Sequence, residues 1–307
     1  MMRLRSLPGP LSGLIVFVAA LSLIAGAGFA ARGKPTPAGD NANILAVLRS
    51  SMAITSVGSV GTNQVKTAGT GWTVANLASP WSQNDLVVVM LAFDNLATSD
   101  GESTTVTAAD LKDAAGGFHA LTKLGEFTNA QAGASAGSTV WLGFRIAPFD
   151  GDDVEFAFSS SVTAKAISVW HFTVDAGSDV HPAASIVTLA NDNADPGSMS
   201  NGSNRGEEEL LFLRAIAGET ASATALTPTT GWTALGGNQT SGAADASNMA
   251  VRGEFRIITT AVNQTSDPTW VASDAASILA VIHETSWTVP RRDRMGSVFP
   301  THVAVWE

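Results

Sequence analysis

The chain has 307 residues, a formal net charge of −10 and no cysteine, and charged residues make up only 14% of it. It therefore has no disulfide framework and no thiolate chemistry, and without a basic run it lacks the electrostatic footprint of a nucleic-acid-binding protein. The remainder is rich in Ala, Gly, Ser and Thr, a composition that favours strands and turns over helices with charged surfaces.

Residues 1–31 have the character of a signal peptide or a membrane anchor. Arg3 and Arg5 precede a long uncharged run that ends in small residues, where a signal peptidase could cut. The same run is about long enough to cross a bilayer as a helix. An over-extended gene start is the third interpretation, because the strand-like pattern begins only at Met52. Residues 32–51 are predicted to be a flexible linker.

Residues 52–285 repeat one plan. In each half an apolar run of strand length follows acidic or amide residues, and both halves contain the triplet Phe-Arg-Ile. The spacing between equivalent blocks is nearly constant, and its small drifts fall in loops, where insertions cost little. Five blocks recur in one order: residues 84–93 with 207–216, 117–121 with 231–235, 141–147 with 252–258, 154–160 with 268–274, and 164–172 with 276–284.

The recurring blocks predict strands. Val154, Phe156 and Phe158 alternate with smaller or polar residues, a pattern that buries one face of a strand. Residues 85–93 are almost continuously apolar, as in a central strand that is covered on both faces. Residues 108–116 could form one or two helical turns.

We therefore predict an all-β fold: an antiparallel, jelly-roll-like β-sandwich built from two sequence-similar halves of about five strands. The halves span about residues 52–180 and 200–285. One sandwich is favoured over two, because each half alone has few strands to cover its apolar faces. Residues 286–307 form a C-terminal tail, either a docking arm or an ordinary solvated terminus.

Trp72 and Trp81 are the candidate ligand-binding residues. Both lie in or near predicted turns, and an aromatic ring at the rim of a sandwich can stack on the apolar face of a sugar. The same side chains could instead plug the end of the core. Trp232, which matches Phe118 in the repeat, is predicted to be such a plug.

Two acidic stretches are candidates for calcium binding. Asp150, Asp152 and Asp153 share one turn, and Asp192 and Asp195 lie between the halves. Spaced carboxylates can coordinate calcium, but ordinary turns with solvated acids have the same composition. Calcium is the one cofactor for which the sequence offers candidate ligands, and no other cofactor is predicted.

The sequence shows no catalytic constellation. Ser135 lies in the nucleophile pattern G-x-S-x-G, but this stretch is a low-complexity loop without the strand–turn–helix context that the chemistry needs. His171 and His283 are repeat equivalents on predicted strands, which favours structural roles. The sequence therefore predicts a protein that is not an enzyme.

The order of the blocks resembles a family of duplicated jelly-roll or lectin-like β-sandwiches. The family occurs in tailed-phage virions, as tail, fibre or appendage proteins, and in bacterial surface proteins. The resemblance covers about residues 52–285 and rests on the strand at 84–93, the Gly-Phe-His and Gly-Trp-Thr turns, and the strands that follow them. It implies no shared catalytic residues.

From this resemblance we expect a non-enzymatic virion structural protein. It would act through assembly contacts with other virion proteins or with itself in a homo-oligomer. The alternative is an exported bacterial surface adhesin or carbohydrate-binding module, secreted or held at the cell surface, that binds a cell-surface glycan. No nucleic-acid partner is expected, and contact with a membrane is expected only if residues 1–31 are retained.

Overall fold

β-Strands joined by turns and loops make up the described part of the chain. The computed structural model describes residues 54–95, 104–129, 137–175, 178–183, 186–202, 209–242, 247–259 and 262–285. The expected signal peptide or anchor, the linker, the candidate start at Met52, Ser135 and the C-terminal tail lie outside the described residues. Within these ranges there is no helix, which confirms the predicted all-β class, and residues 108–116 form the end of a strand and a turn.

The first half of the chain forms a seven-stranded antiparallel sheet. Its strands are β1 (Thr55–Val74), β2 (Leu86–Asp94), β3 (Val106–Lys112), β4 (Phe118–Ala120), β5 (Thr122–Thr128), β6 (Ser138–Ile146) and β7 (Asp153–Thr173). β1 runs along one side of β7, while the other side of β7 pairs with β3 over its first residues and with β2 over its last. Strands β6 and β5 continue the sheet beyond β2, and β4 pairs with β3.

Strand β7 is long enough to take part in two layers. The side chains of Val154, Phe156 and Phe158 in its first part are buried, which confirms the predicted alternation. They pack on the outer face of β2 and β6, where the ring centroids of Phe93 and Phe158 lie 5.3 Å apart and those of Trp141 and Phe156 lie 5.9 Å apart. The first half thus folds over itself and encloses an outer core of its own.

The second half, together with the segment between the halves, forms a six-stranded antiparallel sheet. Its strands are β8 (Asp179–Pro182), β9 (Val187–Ala194), β11 (Leu210–Gly218), β12 (Thr233–Leu235), β13 (Ala250–Ile258) and β15 (Ser273–Thr285). The order is β12-β13-β11-β15, with β8 and β9 both on the far side of β15. Two short strands, β10 (Met199–Asn201) and β14 (Gln264–Ser266), pair with each other.

The two sheets pack face to face around a shared core. Every second residue of a central strand points inward: Leu86, Val88 and Met90 of β2 lie in the same apolar cluster as Leu211 and Leu213 of β11. Complete burial of each such side chain contributes about 1.5–3 kcal/mol, so both sheets depend on this interface. The halves therefore form one sandwich, to which each half contributes a sheet.

The repeat is visible in the pairing of the central strands. Val88 of β2 pairs with Trp170 of β7 just as Leu211 of β11 pairs with Ile282 of β15. In this frame the two Phe-Arg-Ile triplets are displaced by one two-residue step. A two-residue step keeps every side chain on its own face of the sheet, so the core pattern survives the shift.

The turn motif Gly-aromatic-x-Ala-Leu takes different positions in the two halves. In residues 117–121, β4 pairs with β3 and leaves Phe118 57% exposed. In residues 231–235, β12 pairs with β13, and Trp232 is 6% exposed. The predicted core plug is therefore confirmed for Trp232, and Phe118 is not its structural equivalent.

Candidate functional site

A groove opens between the two sheets beside β12. Because β12 is only three residues long, it leaves part of the inward face of β7 uncovered. The groove has a volume of about 520 Å³. We call it the Trp170 groove, and the side chains that shape it are Trp170, Leu226, Leu235, Asn238, Gln239 and Arg252.

Trp170 reaches the groove because inward positions alternate along β7. Ala166 and Phe172 point the same way and are completely buried in the shared core, whereas Trp170 is only partly buried. The ring of Trp170 packs against Phe255 of the second sheet, with centroids 6.1 Å apart. One side of the indole is thus fixed by the core, and the remaining surface lines the groove.

Arg252 holds the two walls of the groove in place. Its guanidinium donates to the carbonyl oxygens of Thr224 and Ser222 in one wall, at 3.3 and 3.4 Å. It also donates to the carbonyl oxygen of Asn238, at 3.1 Å, and to Oε1 of Gln239, at 2.7 Å, in the other wall. Burial lowers the pKa of Arg252 from its usual value. Because protein oxygens occupy these donors, Arg252 shapes the groove and offers no free charge to a ligand.

Close packing fixes the wall that follows β12. A Cβ on Gly237 would lie 2.0 Å from the carbonyl oxygen of Val251, so no side chain fits there. Ser168 of the first sheet donates to the carbonyl oxygen of Gly236 at 2.5 Å. The groove offers an aromatic ring, aliphatic side chains and two amide side chains, and none of its described lining residues carries a carboxyl or imidazole group. Such a surface suits a neutral ligand with an apolar face.

Neither of the predicted ligand-binding tryptophans lines this groove. Trp81 is 1% exposed, and its indole N–H donates to the carbonyl oxygen of Phe149 at 3.1 Å. It therefore occupies the position of a core plug, the alternative considered from the sequence, and offers no ring face to a ligand. Trp72 is partly buried and stacks on Phe156 with centroids 6.3 Å apart, so it stays a candidate.

The acidic residues of the first candidate calcium turn organise the backbone around them. Asp150 accepts a hydrogen bond from the backbone N–H of Gln83 at 2.5 Å, and Asp153 accepts one from Asn76 at 2.8 Å. Burial and the neighbouring Asp153 raise the pKa of Asp152. Among the described residues, no three acidic, histidine or cysteine side chains form a group that could hold a metal ion.

The two aspartates of the second acidic stretch form hydrogen bonds with different residues. Asp195 accepts a hydrogen bond from the backbone N–H of Trp270 at 2.6 Å. Asp192 is hydrogen-bonded to Asp274, and this contact, with some burial, raises the pKa of Asp192. Calcium binding at either stretch thus stays a prediction from the sequence.

The two repeat-equivalent histidines are buried on the outward faces of their strands. Nδ1 of His171 lies 2.7 Å from Oδ2 of Asp85, which also accepts the backbone N–H of Ser82 at 2.9 Å. This pair ties β7 to the turn that precedes β2. The ring of His283 lies 5.8 Å from that of His181 in the neighbouring strand β8. Both positions fit the structural roles that the repeat favours.

Comparison with known proteins gives no relative from which a function could be transferred. No family model, no curated protein and no solved structure matches the chain. No helix in the described ranges is long and apolar enough to span a membrane. The function has therefore to be inferred from the surface and the sites of this molecule.

Trp170 and Arg252 were not predicted from the sequence as residues of a site. Trp170 lies within a predicted strand, and its alternation with Ile167 and Val169 suggests a core or surface position equally well. Its access to the groove depends on where β12 ends in the opposite sheet. The sequence carries no signal for this access, since the three-residue length of β12 is visible only in the structure.

Proposed function

We propose that this chain is a non-enzymatic structural protein of a phage particle, in its tail, fibre or head appendage, and that it acts through assembly contacts. The order of its strand blocks supports the placement in a virion. The observation that carries the assembly role is the edge of β1 beyond Val60, whose own carbonyl oxygen accepts the backbone N–H of Ser79 at 2.8 Å.

β1 has the features of a strand that can accept a partner. It is 20 residues long and pairs with β7 alone among the described strands. Natural edge strands are usually protected by charged residues, prolines or bulges. β1 has no proline and a single charged residue, Lys66, and its Val57 is 51% exposed. Bulges interrupt the register at several points, but residues 61–66 pair without interruption.

A pair of edge substitutions tests this role. Thr62 and Gln64 are exposed in the regular segment of β1, so lysines at both positions would repel a pairing strand. The matched control places the same two charges in the exposed turn after β3, as Ala114→Lys and Ala115→Lys. Sedimentation velocity of the full chain should show association for the wild type and the control, and a monomer for Thr62→Lys/Gln64→Lys. A monomeric wild type, or equal association of all three proteins, would remove the edge from the proposal.

Carbohydrate binding is the second candidate function, and the Trp170 groove favours it. The partly exposed indole can stack on a sugar ring, and the amide side chains beside it can form hydrogen bonds with the hydroxyl groups of that sugar. In this role the chain would be an exported surface adhesin or binding module. Trp72 of β1, which pairs with Phe156 near the other end of β7, offers a second aromatic surface.

A glycan array separates these two tryptophans. If the groove binds sugar, Trp170→Ala abolishes the signal and Trp72→Ala retains it. Loss in Trp72→Ala alone would place the site at the rim that the sequence predicted. Absence of wild-type binding across a broad array would count against the carbohydrate function and leave the assembly role as the proposal.

A further inference from the structure

One end of the shared core is closed by oxygen atoms instead of apolar side chains. Asn129, Ser138 and Asp94 lie at the ends of β5, β6 and β2, which are neighbours in the first sheet. Asp94 pairs with Ser138, and the backbone N–H of Asn129 donates to the carbonyl oxygen of Ser138 at 2.9 Å. The three side chains therefore form one row, with neighbouring strands about 4.8 Å apart.

The alternation of the strands points this row into the space between the sheets. Ala92 and Val140, two residues from Asp94 and Ser138, belong to the shared core. The amide nitrogen of Asn129 donates to the carbonyl oxygen of Asn191 at 2.8 Å, on the side of the second sheet. The side chains of Asp94, Ser138 and Asn129 all face inward.

Glu219 meets the row from the opposite sheet. It follows Ala217 of β11 by two residues, so it also points inward, and its Oε1 accepts the backbone N–H of Gly137 at 2.7 Å. Sheets in a sandwich are about 10 Å apart, and this hydrogen bond shows that the carboxyl group of Glu219 spans the gap. We call Asp94, Asn129, Ser138 and Glu219 the oxygen cluster.

The oxygen cluster lacks the partners that buried polar groups normally have. The residues of the row are 2% exposed for Asp94, 1% for Asn129 and 0% for Ser138. Asp94 Oδ1, Asn129 Oδ1 and Ser138 Oγ each have no hydrogen-bond partner in the described part of the chain. Native proteins rarely leave such atoms unpaired, because a buried polar atom without a partner has lost its hydrogen bonds to water and gained none in return.

Two of the four groups are carboxyls, and the oxygen cluster itself contains no positively charged side chain. Lys66 is the cation whose charge acts on Asp94, but its Nζ is held by Gly242, Ser247 and Asn248 at 2.9, 3.1 and 3.1 Å. A water molecule could donate to the unpaired oxygens, but it would supply no counter-charge that lets the two buried carboxyl groups ionise. A cation would satisfy the oxygens and the charge together.

We propose that the oxygen cluster binds a divalent cation, and that calcium is the ion that its ligand atoms fit. All the ligand atoms are oxygens, and calcium accepts carboxylate, amide and hydroxyl oxygens in a flexible arrangement. The site contains two carboxyls and two neutral groups, one amide and one hydroxyl. It lies at the opposite end of β6 from the acidic turn at Asp150.

Isothermal titration of the EDTA-treated full chain with CaCl₂ tests the site. We expect one calcium ion per chain, a melting temperature that rises with calcium concentration, and at least a tenfold loss of affinity in Asp94→Asn and in Glu219→Gln. Both substitutions keep the size of the side chain and replace a buried carboxyl group by an amide, so the variants should fold. Asp150→Asn/Asp152→Asn is the control and should bind calcium as the wild type does.

Three results would overturn the proposal. The first is no binding and no rise in melting temperature at up to about 10 mM CaCl₂, which is above the range of the weakest protein calcium sites. The second is loss of binding in the Asp150→Asn/Asp152→Asn control while Asp94→Asn and Glu219→Gln still bind. The third is stabilisation by MgCl₂ without stabilisation by CaCl₂, which would reject calcium as the ion.

Discussion

Replacing Glu219 with glutamine should change the pH dependence of stability in a defined direction. Glu219 is 5% exposed, and burial raises its pKa from 4.5 to about 8, although the hydrogen bond from Gly137 opposes the shift. The charges of Asp274 and Asp94 raise it further. The folded protein therefore holds this proton at pH values where the unfolded chain has released it.

The sign and size follow from proton linkage. Below pH 4.5 both states are protonated, and Glu219 has no effect on the free energy of unfolding. As the pH rises from 4.5 towards 8, the unfolded state loses its proton first, so the group destabilises the fold increasingly. The difference of 8 − 4.5 = 3.5 pKa units corresponds to a loss on the order of 5 kcal/mol, since each unit is worth about 1.4 kcal/mol.

Urea unfolding followed by circular dichroism measures this effect. The titration should run from pH 4 to pH 8.5 in EDTA, so that no bound cation changes the charge balance. The stability of Glu219→Gln relative to the wild type should rise by several kcal/mol across this range. Asp94→Asn should show the same sign with a smaller change, because burial raises the pKa of Asp94 only from 3.8 to about 6. A wild type and Glu219→Gln with parallel pH profiles would refute the burial and charge assigned to Glu219.

Three further substitutions test the packing, and urea unfolding measures each of them. Trp81→Ala should lower the free energy of unfolding by about 3–5 kcal/mol, because it empties a buried ring site; a change below about 1 kcal/mol would contradict its role as a core plug. Phe118→Ser should change stability by less than about 0.5 kcal/mol, since the ring is 57% exposed, and a large loss would show that Phe118 is packed. Arg214→Met should cost about 3–5 kcal/mol, because Arg214 is 0% exposed and its guanidinium donates to the carbonyl oxygens of Ser266 and Gly197 at 3.0 and 2.8 Å; a neutral result would mean that these buried carbonyl oxygens do not need this cation.

The face pattern of the strands could be predicted from the sequence, because it depends on local alternation. Val154, Phe156 and Phe158 are buried as their spacing predicts. The single sandwich could also be predicted, since the apolar residues of β2 require cover on both faces. The predicted equivalence of the two Gly-aromatic turns is wrong. Their surroundings depend on which strand pairs with them, and β3 and β13 are not equivalent neighbours.

The sites could be predicted only in part, because exposure is a long-range property. Trp81 is near a predicted turn, but its burial depends on Phe149, which is 68 residues away in the chain. Trp170 looks like a core residue, but the short strand β12 leaves it accessible. The oxygen cluster joins the ends of four strands, and only the assembled sandwich brings Asp94 and Glu219 close to each other.

Quantitative mass spectrometry of purified phage particles tests directly whether this chain is a structural protein of the virion. The particles would be induced from a bacterium that carries this gene and banded on a density gradient. The same gradient fraction from a culture that lacks the major capsid gene is the control. If the chain is a virion protein, peptides from residues 54–285 should occur in the particle band, at a constant ratio to the capsid protein. None should occur in the control fraction. Recovery of the chain from the medium or the cell surface, with none in the particles, would contradict the account and favour the exported carbohydrate-binding function.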